Sequence, residues 1–412
     1  MRFFSPLGAI FFTIALDLLG FGLVMPFLAE EVRDTFGATE LTCTLLGSVY
    51  SLMQFLFVPV WGRLSDYAGR RPVLLWSILA TTLSNAWLGL SLTYSQSVLW
   101  LFIARAFAGM ATANLGTASA YIADVTSPEE RARGMGLIGA AFGIGFTLGP
   151  MIGGVLAPIE IRGRHGAIPC LIAAGLSGIN ALWVAFGLTE SLPQHKRAPF
   201  RIQSLFPLNY KAASHSFSVP GVSSAIITNF ILLVAFTNLD QTFRFFNKDV
   251  FGMSSSETGI VFAYMGILSA IIQGGLIRFL SKRMEETFLI RIGVALQACG
   301  FAGMVIAPST GKKCIFIACT FLVMGNAATQ PSISSFISKR ADVSSQGSIL
   351  GTNQAIGSLA RMIGPAIGGY TYGSIGPRAP FVAGTLGMVV AFLFAALLRS
   401  PPSLQKTSTP IS

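Results

Sequence analysis

The sequence predicts an all-α membrane protein, with twelve transmembrane helices arranged as two pseudo-symmetric six-helix bundles. Three observations carry this expectation. Only 11% of the 412 residues are charged while 52% are hydrophobic, under half the charged fraction of roughly 25% usual in soluble domains. The apolar residues gather into twelve stretches, each near the ~20 residues that a bilayer core requires. They lie at 7–29, 42–62, 72–93, 97–121, 134–157, 166–188, 219–243, 256–277, 288–308, 313–337, 347–372 and 378–398. Finally, Gly149-Pro150-Met151-Ile152-Gly153-Gly154 in the fifth stretch recurs 215 residues on as Gly364-Pro365-Ala366-Ile367-Gly368-Gly369 in the eleventh, an internal repeat of half the chain.

The first stretch is long enough to span and ends without a small-residue cleavage pattern, so it reads as helix 1 and not as a cleavable leader. Helices 2 and 3 are separated by Gly62-Arg63-Leu64-Ser65-Asp66-Tyr67-Ala68-Gly69-Arg70-Arg71-Pro72. A connection that short makes them antiparallel neighbours joined by a tight turn on one membrane face. A weaker echo, Gly275 to Arg278 followed by Lys282-Arg283, comes after the eighth stretch. The longest connection runs from Thr189 to Ser218 and carries His195, Lys196, Arg197, Arg201, Lys211 and several prolines. It reads as a linker, with Phe200 to Leu208 lying on the membrane surface. The expected division is therefore an N-terminal bundle at 1–190, a linker at 191–218, a C-terminal bundle at 219–400 and a tail at 401–412.

Basic residues orient the bundle. The face holding the Gly62–Pro72 turn collects most of the 28 Lys and Arg residues, whereas the opposite face holds Arg33, Arg162, Arg164, Arg244, Lys248, Lys312, Lys313 and Arg378. The excess predicts that the turn, the linker and both termini are cytoplasmic. The net charge of +11 is spread between apolar runs and forms no patch, which argues against nucleic acid as a partner. The five cysteines lie in or beside apolar runs without metal-ligand spacing, and all three histidines fall in loops, so no metal site is expected. Neither a nucleophile with its base nor a phosphate loop is present, which excludes an enzyme and an ATP-driven pump and implies no cofactor. The expected partners are a small-molecule substrate, protons and the lipid bilayer, with the chain acting as a monomer.

These motifs resemble the major facilitator superfamily over essentially the whole chain. Gly62-x-Leu64-Ser65-Asp66-x-x-Gly69-Arg70-Arg71-Pro72 resembles its signature loop between helices 2 and 3. Arg105-x-x-x-Gly109 resembles its basic motif on helix 4, and Gly145-x-x-x-Gly149-Pro150-x-x-Gly153-Gly154 its helix 5 antiporter motif. Asp17-x-x-Gly20-x-Gly22-x-x-x-Pro26, with Tyr121 to Asp124 and Pro128-Glu129-Glu130-Arg131, is similar to the drug:proton antiporter branch that includes tetracycline exporters. The resemblance implies alternating access in a bacterial inner membrane, with export in exchange for protons. Those exporters carry acids in helices 3 and 9 and a histidine in helix 8. Here the corresponding regions read Leu83-Ser84-Asn85, Gln297 and Ser269, so magnesium–tetracycline is not implied as the substrate.

Ionisable groups in hydrocarbon cost at least ~2.5 kcal/mol at the centre, so each calls for a role. Asp17 lies about 15 Å up helix 1 and Arg105 at a similar depth in helix 4, which predicts that they communicate and makes Asp17 the candidate proton carrier. Asp240 and Arg244 are spaced as an i, i+4 pair on helix 7; an exposed local pair is the simpler reading and a second proton or substrate group the alternative. Arg361, inside helix 11, is a candidate for an anionic substrate or for pairing with an acid such as Asp240. Gln54, Asn114, Asn238, Gln273, Gln330 and Asn353 are the further cavity candidates, each weighed against helix-to-helix hydrogen bonding. For gating, the candidates are Gly62, Asp66, Gly69, Arg70, Arg71, Asp124, Gly149, Pro150, Gly364 and Pro365. Asp66 is expected to reach the N-terminal end of helix 11 near Gly347, and Arg70 to meet Asp124. Two functions compete: proton-driven export of a small amphipathic compound, and proton-coupled uptake of a metabolite such as a sugar or organic anion.

Overall fold

The structure, a computed structural model, describes residues 5–112, 115–127, 131–197, 217–219, 221–280, 283–340 and 346–398. Asn114, the Phe200–Leu208 segment and the tail from 401 lie outside the described residues. The first half comprises α1 (Pro6–Phe36), α2 (Glu40–Ala68), α3 (Arg70–Tyr94), α4 in two segments (Leu99–Ala111 and Leu115–Val125), α5 (Arg131–Leu156) and α6 (Ala167–Gly187). The second comprises α7 (Val222–Phe251), α8 (Ser255–Ile271, continuing in a π-helical turn Ile272–Ile277), α9 (Glu286–Thr310), α10 (Lys313–Arg340), α11 (Gln346–Ser374) and α12 (Ala379–Ala396). Ten of these are long and apolar enough to cross a membrane; α5 is apolar only over Gly143–Leu156, and α11 is too polar to qualify.

Helix pairing repeats between the halves. In the first, α1 packs on α5 and α6, and α3 on α4 and α6; in the second, α7 packs on α11 and α12, and α9 on α10 and α12. The halves meet where α2 lies on α11 and α5 on α8.

The repeated glycines explain both kinds of contact. A Cβ on Gly149 would stand 2.7 Å from the Gly22 backbone of α1, and one on Gly364 2.6 Å from the Val234 carbonyl of α7. These glycines let α5 and α11 lie backbone to backbone on their partners, as small residues do in membrane helices. The last glycine of each motif faces the other half. A Cβ on Gly154 would meet Ser255 O of α8 at 2.8 Å, and one on Gly369 would meet Glu40 O of α2 at 2.8 Å. Ser255 and Glu40 differ by the same 215 residues as the motifs, so the two contacts are one contact repeated about a pseudo-two-fold axis.

The C-terminal ends of α1 and α7 differ from expectation. The apolar patterns stop at residues 29 and 243, yet the helices run on to Phe36 and Phe251. Each ends on a left-handed glycine at φ 61°, Gly37 and Gly252, a conformation glycine adopts without a Cβ penalty. The added turns hold charged residues that a bilayer would reject but that here pair with one another across the halves.

Candidate functional site

At mid-depth the two halves meet around Tyr50 of α2, which is buried. Its hydroxyl accepts a hydrogen bond from Thr112 Oγ1 (2.6 Å), and its ring stacks near Phe21 of α1 at 5.6 Å. The Arg105 guanidinium lies over that ring, 4.3 Å from its centroid, in a cation–π contact. Arg105 Nη2 also donates to Met25 Sδ (2.8 Å), while its Nε has no hydrogen-bond partner. The basic motif of α4 has a packing reason. One turn from Arg105, a Cβ on Gly109 would collide with the Tyr50 carbonyl, so glycine is what lets α4 bring Arg105 onto the ring.

Asp17 enters from α1. With Thr13, Phe21, Tyr50 and Thr112 it lines a cavity of about 50 Å³, large enough for water. Tyr50 lies within electrostatic reach of Arg105, Asp17 and Arg361 together. Asp17 and Arg105 are therefore related through Tyr50; among the described residues no ion pair joins them. Arg361 donates to Ser358 Oγ (2.8 Å) and faces Tyr50; it does not pair with Asp240, whose carboxylate accepts from Gln241 Nε2 (3.0 Å).

The other polar candidates divide. Gln330 Nε2 donates to Asn229 Oδ1 (3.2 Å) and Asn229 Nδ2 to Asn353 Oδ1 (3.0 Å), a chain linking α10, α7 and α11. Asn238 is buried and donates to the Pro380 carbonyl of α12 (2.8 Å), joining two helices, while its Oδ1 has no partner among the described residues. Gln273, at the π-helical turn, donates to Ser269 Oγ (2.8 Å). Gln54 is half-buried, one turn beyond Tyr50 on α2.

The turn between α2 and α3 is tied to its own half. Arg70 is buried and donates to Ser65 Oγ (2.7 Å), Asp66 Oδ1 (2.5 Å) and Asp124 Oδ2 (3.1 Å). Asp66 is thus held by Arg70; the start of α11, which it is expected to reach near Gly347, lies outside the fully described residues. Arg71 donates to the Ala185 and Val184 carbonyls of α6, and Ser65 Oγ to the Gly62 carbonyl (2.6 Å). Gly69 has φ 107°, and the first amides of α3, Arg70 and Arg71, donate to the Glu190 carboxylate at 2.9 and 3.3 Å. A carboxylate at these free helix amides favours the dipole. Sequence reasoning missed Glu190, because its 120-residue separation from Arg70 leaves no local pattern.

The face opposite the turn carries a dense charge cluster among the described residues. Arg33 and Asp249 form a bidentate pair at 2.7 and 2.8 Å, and Lys248 pairs with Asp34 and with Glu30 (3.0 Å). Arg244 and Glu30, 2% and 3% exposed, are ion-paired in the interior. Arg244 also donates to Ser254 O (2.8 Å) and Thr258 Oγ1 (2.9 Å) of α8. The expected exposed Asp240–Arg244 pair is corrected: Arg244 points across the interface because Glu30 offers a partner in the low-dielectric interior. Tyr372 of α11 donates to Asp249 (2.8 Å). A signal for this cluster existed, since Arg33-Asp34 recurs as Lys248-Asp249 at the 215-residue offset.

Helices long enough to cross a bilayer, with ionisable groups gathered between two related halves, define a multi-pass membrane transporter. Family comparison agrees. The Major Facilitator Superfamily profile matches residues 10–365 and 324–411, and the chain belongs to that superfamily. It is 32% identical to the class C tetracycline resistance protein of Escherichia coli, across 99% of this chain and 100% of that protein. It is 27% identical to major facilitator superfamily domain-containing protein 10 of Mus musculus, across 96% and 93% of the two chains. The crystal structure of the human organic anion transporter MFSD10 (TETRAN) superposes with a TM-score of 0.71 at 25% identity, over 94% of this chain and 98% of that one.

Proposed function

We propose that the protein is a proton-coupled antiporter that exports a small amphipathic compound by alternating access. In this reading it acts as a monomer in a bacterial inner membrane, with the turn face, the linker and both termini cytoplasmic. The observation that carries it is the Tyr50 site, where Asp17, Arg105 and Arg361 converge between the halves around one buried ring. A carboxylate beside a water-sized cavity is suited to exchanging a proton, and the aromatic and arginine surface is suited to a planar or anionic ligand. The tetracycline resistance relatives support export as the direction.

A second reading, proton-coupled movement of an organic anion, draws on a specific observation. Two arginines but one carboxylate bear on Tyr50, and the 25%-identical human structure is that of an organic anion transporter. Proteoliposomes under an imposed pH gradient discriminate the two. Efflux of cationic dyes or antibiotics against inward proton flow supports export of amphipathic compounds, and co-movement of protons with organic anions supports the second reading. Transport indifferent to the gradient overturns proton coupling.

A further inference from the structure

Beside the Arg244–Glu30 ion pair stands a carboxylate that the outer cluster does not use. Glu31 of α1 is 5% exposed. Its neighbour Glu30 takes both Arg244 and Lys248 as partners. Among the described residues no cation lies within 4.0 Å of the Glu31 carboxylate, and no donor reaches it. It faces inward from the cluster into a cavity of about 10 Å³ lined by Val24, Phe27, Leu28, Leu92, Pro169 and Cys170, space for about one water molecule. Gly166, at φ 78°, closes this cavity; a Cβ there would stand 2.7 Å from Glu31 Cγ.

The charges around Glu31 do not favour an anion. From its own helix it faces Glu30 and Asp34, from α7 Arg244 and Lys248, and from α6 the Cys170 thiol. Among the described residues the wider cluster joins the carboxylates of Glu30, Glu31, Asp34, Glu40 and Asp249 to the cations Arg33, Arg244 and Lys248, while Arg164, two residues before Gly166, donates to the Leu92 and Ser95 carbonyls. Arg33, Arg244 and Lys248 are each already engaged by a carboxylate other than Glu31. A carboxylate removed from water with no cation of its own is expensive to keep ionised, whereas its neutral form needs only modest solvation.

From this geometry we infer that Glu31 is a second proton-binding site, which must take up a proton from the outer solution before the outer face can close. When α1 and α7 part on that side, water reaches the cavity and Glu31 ionises. Closing the face buries Glu31 beside Glu30, so closure selects the protonated form. Cys170 lies within electrostatic reach of both Glu31 and Arg105, so the site adjoins the central one. This inference deepens the proton-exchange reading and rests on it.

The test needs no substrate. Bioorthogonal spin labels at position 160, on the loop between α5 and α6, and at position 313, the first residue of α10, would report closure of the full-length protein in lipid nanodiscs. In the wild type the short-distance population is expected to grow as pH falls from about 8 to about 5, the range over which a buried carboxylate titrates. Glu31→Gln and Glu31→Leu, which carry no ionisable group, are expected to hold the short distance at every pH, and Glu31→Asp to keep the dependence. If both neutral variants follow pH as the wild type does, the Glu31 site is overturned while proton exchange stands. A wild type that ignores pH overturns both.

Discussion

Arg33 and Asp249 face each other from different halves as a bidentate pair, Nη1 to Oδ2 at 2.7 Å and Nη2 to Oδ1 at 2.8 Å. The residues related to them by the 215-residue repeat, Lys248 and Asp34, form the reciprocal pair. Each half thus offers one cation and one anion to the other, as in a two-fold symmetric interface. Such an arrangement is compatible with the outer face only when α1 and α7 lie together. Among the described residues, no ion pair joins the halves on the turn face, where Arg70 is bonded within its own bundle.

Arg33→Ala should therefore favour the open outer face, by about 1 kcal/mol or roughly fivefold in population, the scale for a partly exposed but bidentate pair. The swap of Arg33→Asp with Asp249→Arg should restore closure. Label distances between positions 160 and 313 check both; a swap no better than the single variant would remove direct pairing as the cause.

Arg244 and Glu30 form a different kind of contact. Glu30→Gln leaves a buried guanidinium without its counter-ion and should destabilise the protein by about 3–5 kcal/mol. The double variant Glu30→Gln with Arg244→Leu should recover much of the loss, because both charges leave the interior together. Thermal unfolding in detergent measures the comparison.

Gly154→Val should leave the first bundle folded but prevent the outer face from closing, since its side chain must displace Ser255 O and the Gly259 backbone across the interface. Gly369→Val should act alike against Glu40 and Leu41. Overpacking of this sort costs about 1–3 kcal/mol. A normal closed population in either variant would contradict the symmetric contact.

Gly69→Ala places a Cβ at φ 107° and against the Glu190 carboxylate, so a stability loss of at least about 1–2 kcal/mol is expected. Glu190→Ala removes the cap on α3 together with the bond from Leu192 N and the Arg197 ion pair, and should lose about 1 kcal/mol. Melting of the two variants side by side gives the ranking.

Asp17→Asn should abolish proton-driven transport in proteoliposomes while preserving folding. Tyr50→Phe keeps the ring under Arg105 and removes the Thr112 hydrogen bond, so reduced turnover with retained ligand binding is expected. Unchanged gradient dependence in Asp17→Asn would exclude it as the proton carrier.

By itself the sequence determined what local periodicity and repetition can carry. Membrane-length apolar runs, a charged turn and a motif repeated at half the chain length sufficed for the helical bundle, because a bilayer permits few alternatives. The intramembrane charges Asp17, Arg105 and Arg361 stood out for the same reason. Partners distant in the chain were decided only by the tertiary structure. Arg244 met Glu30 and not Asp240, Glu190 capped α3, and Asn238 joined two helices. Those choices depend on which groups remain in low dielectric once helices pack, and residues more than 100 positions apart leave no pattern to announce it. The charges at the ends of α1 and α7 looked like membrane boundaries in the sequence. In the fold Glu30 and Arg244 are interior while Arg33, Asp34, Lys248 and Asp249 stay partly exposed, and each half supplies counter-charges to the other.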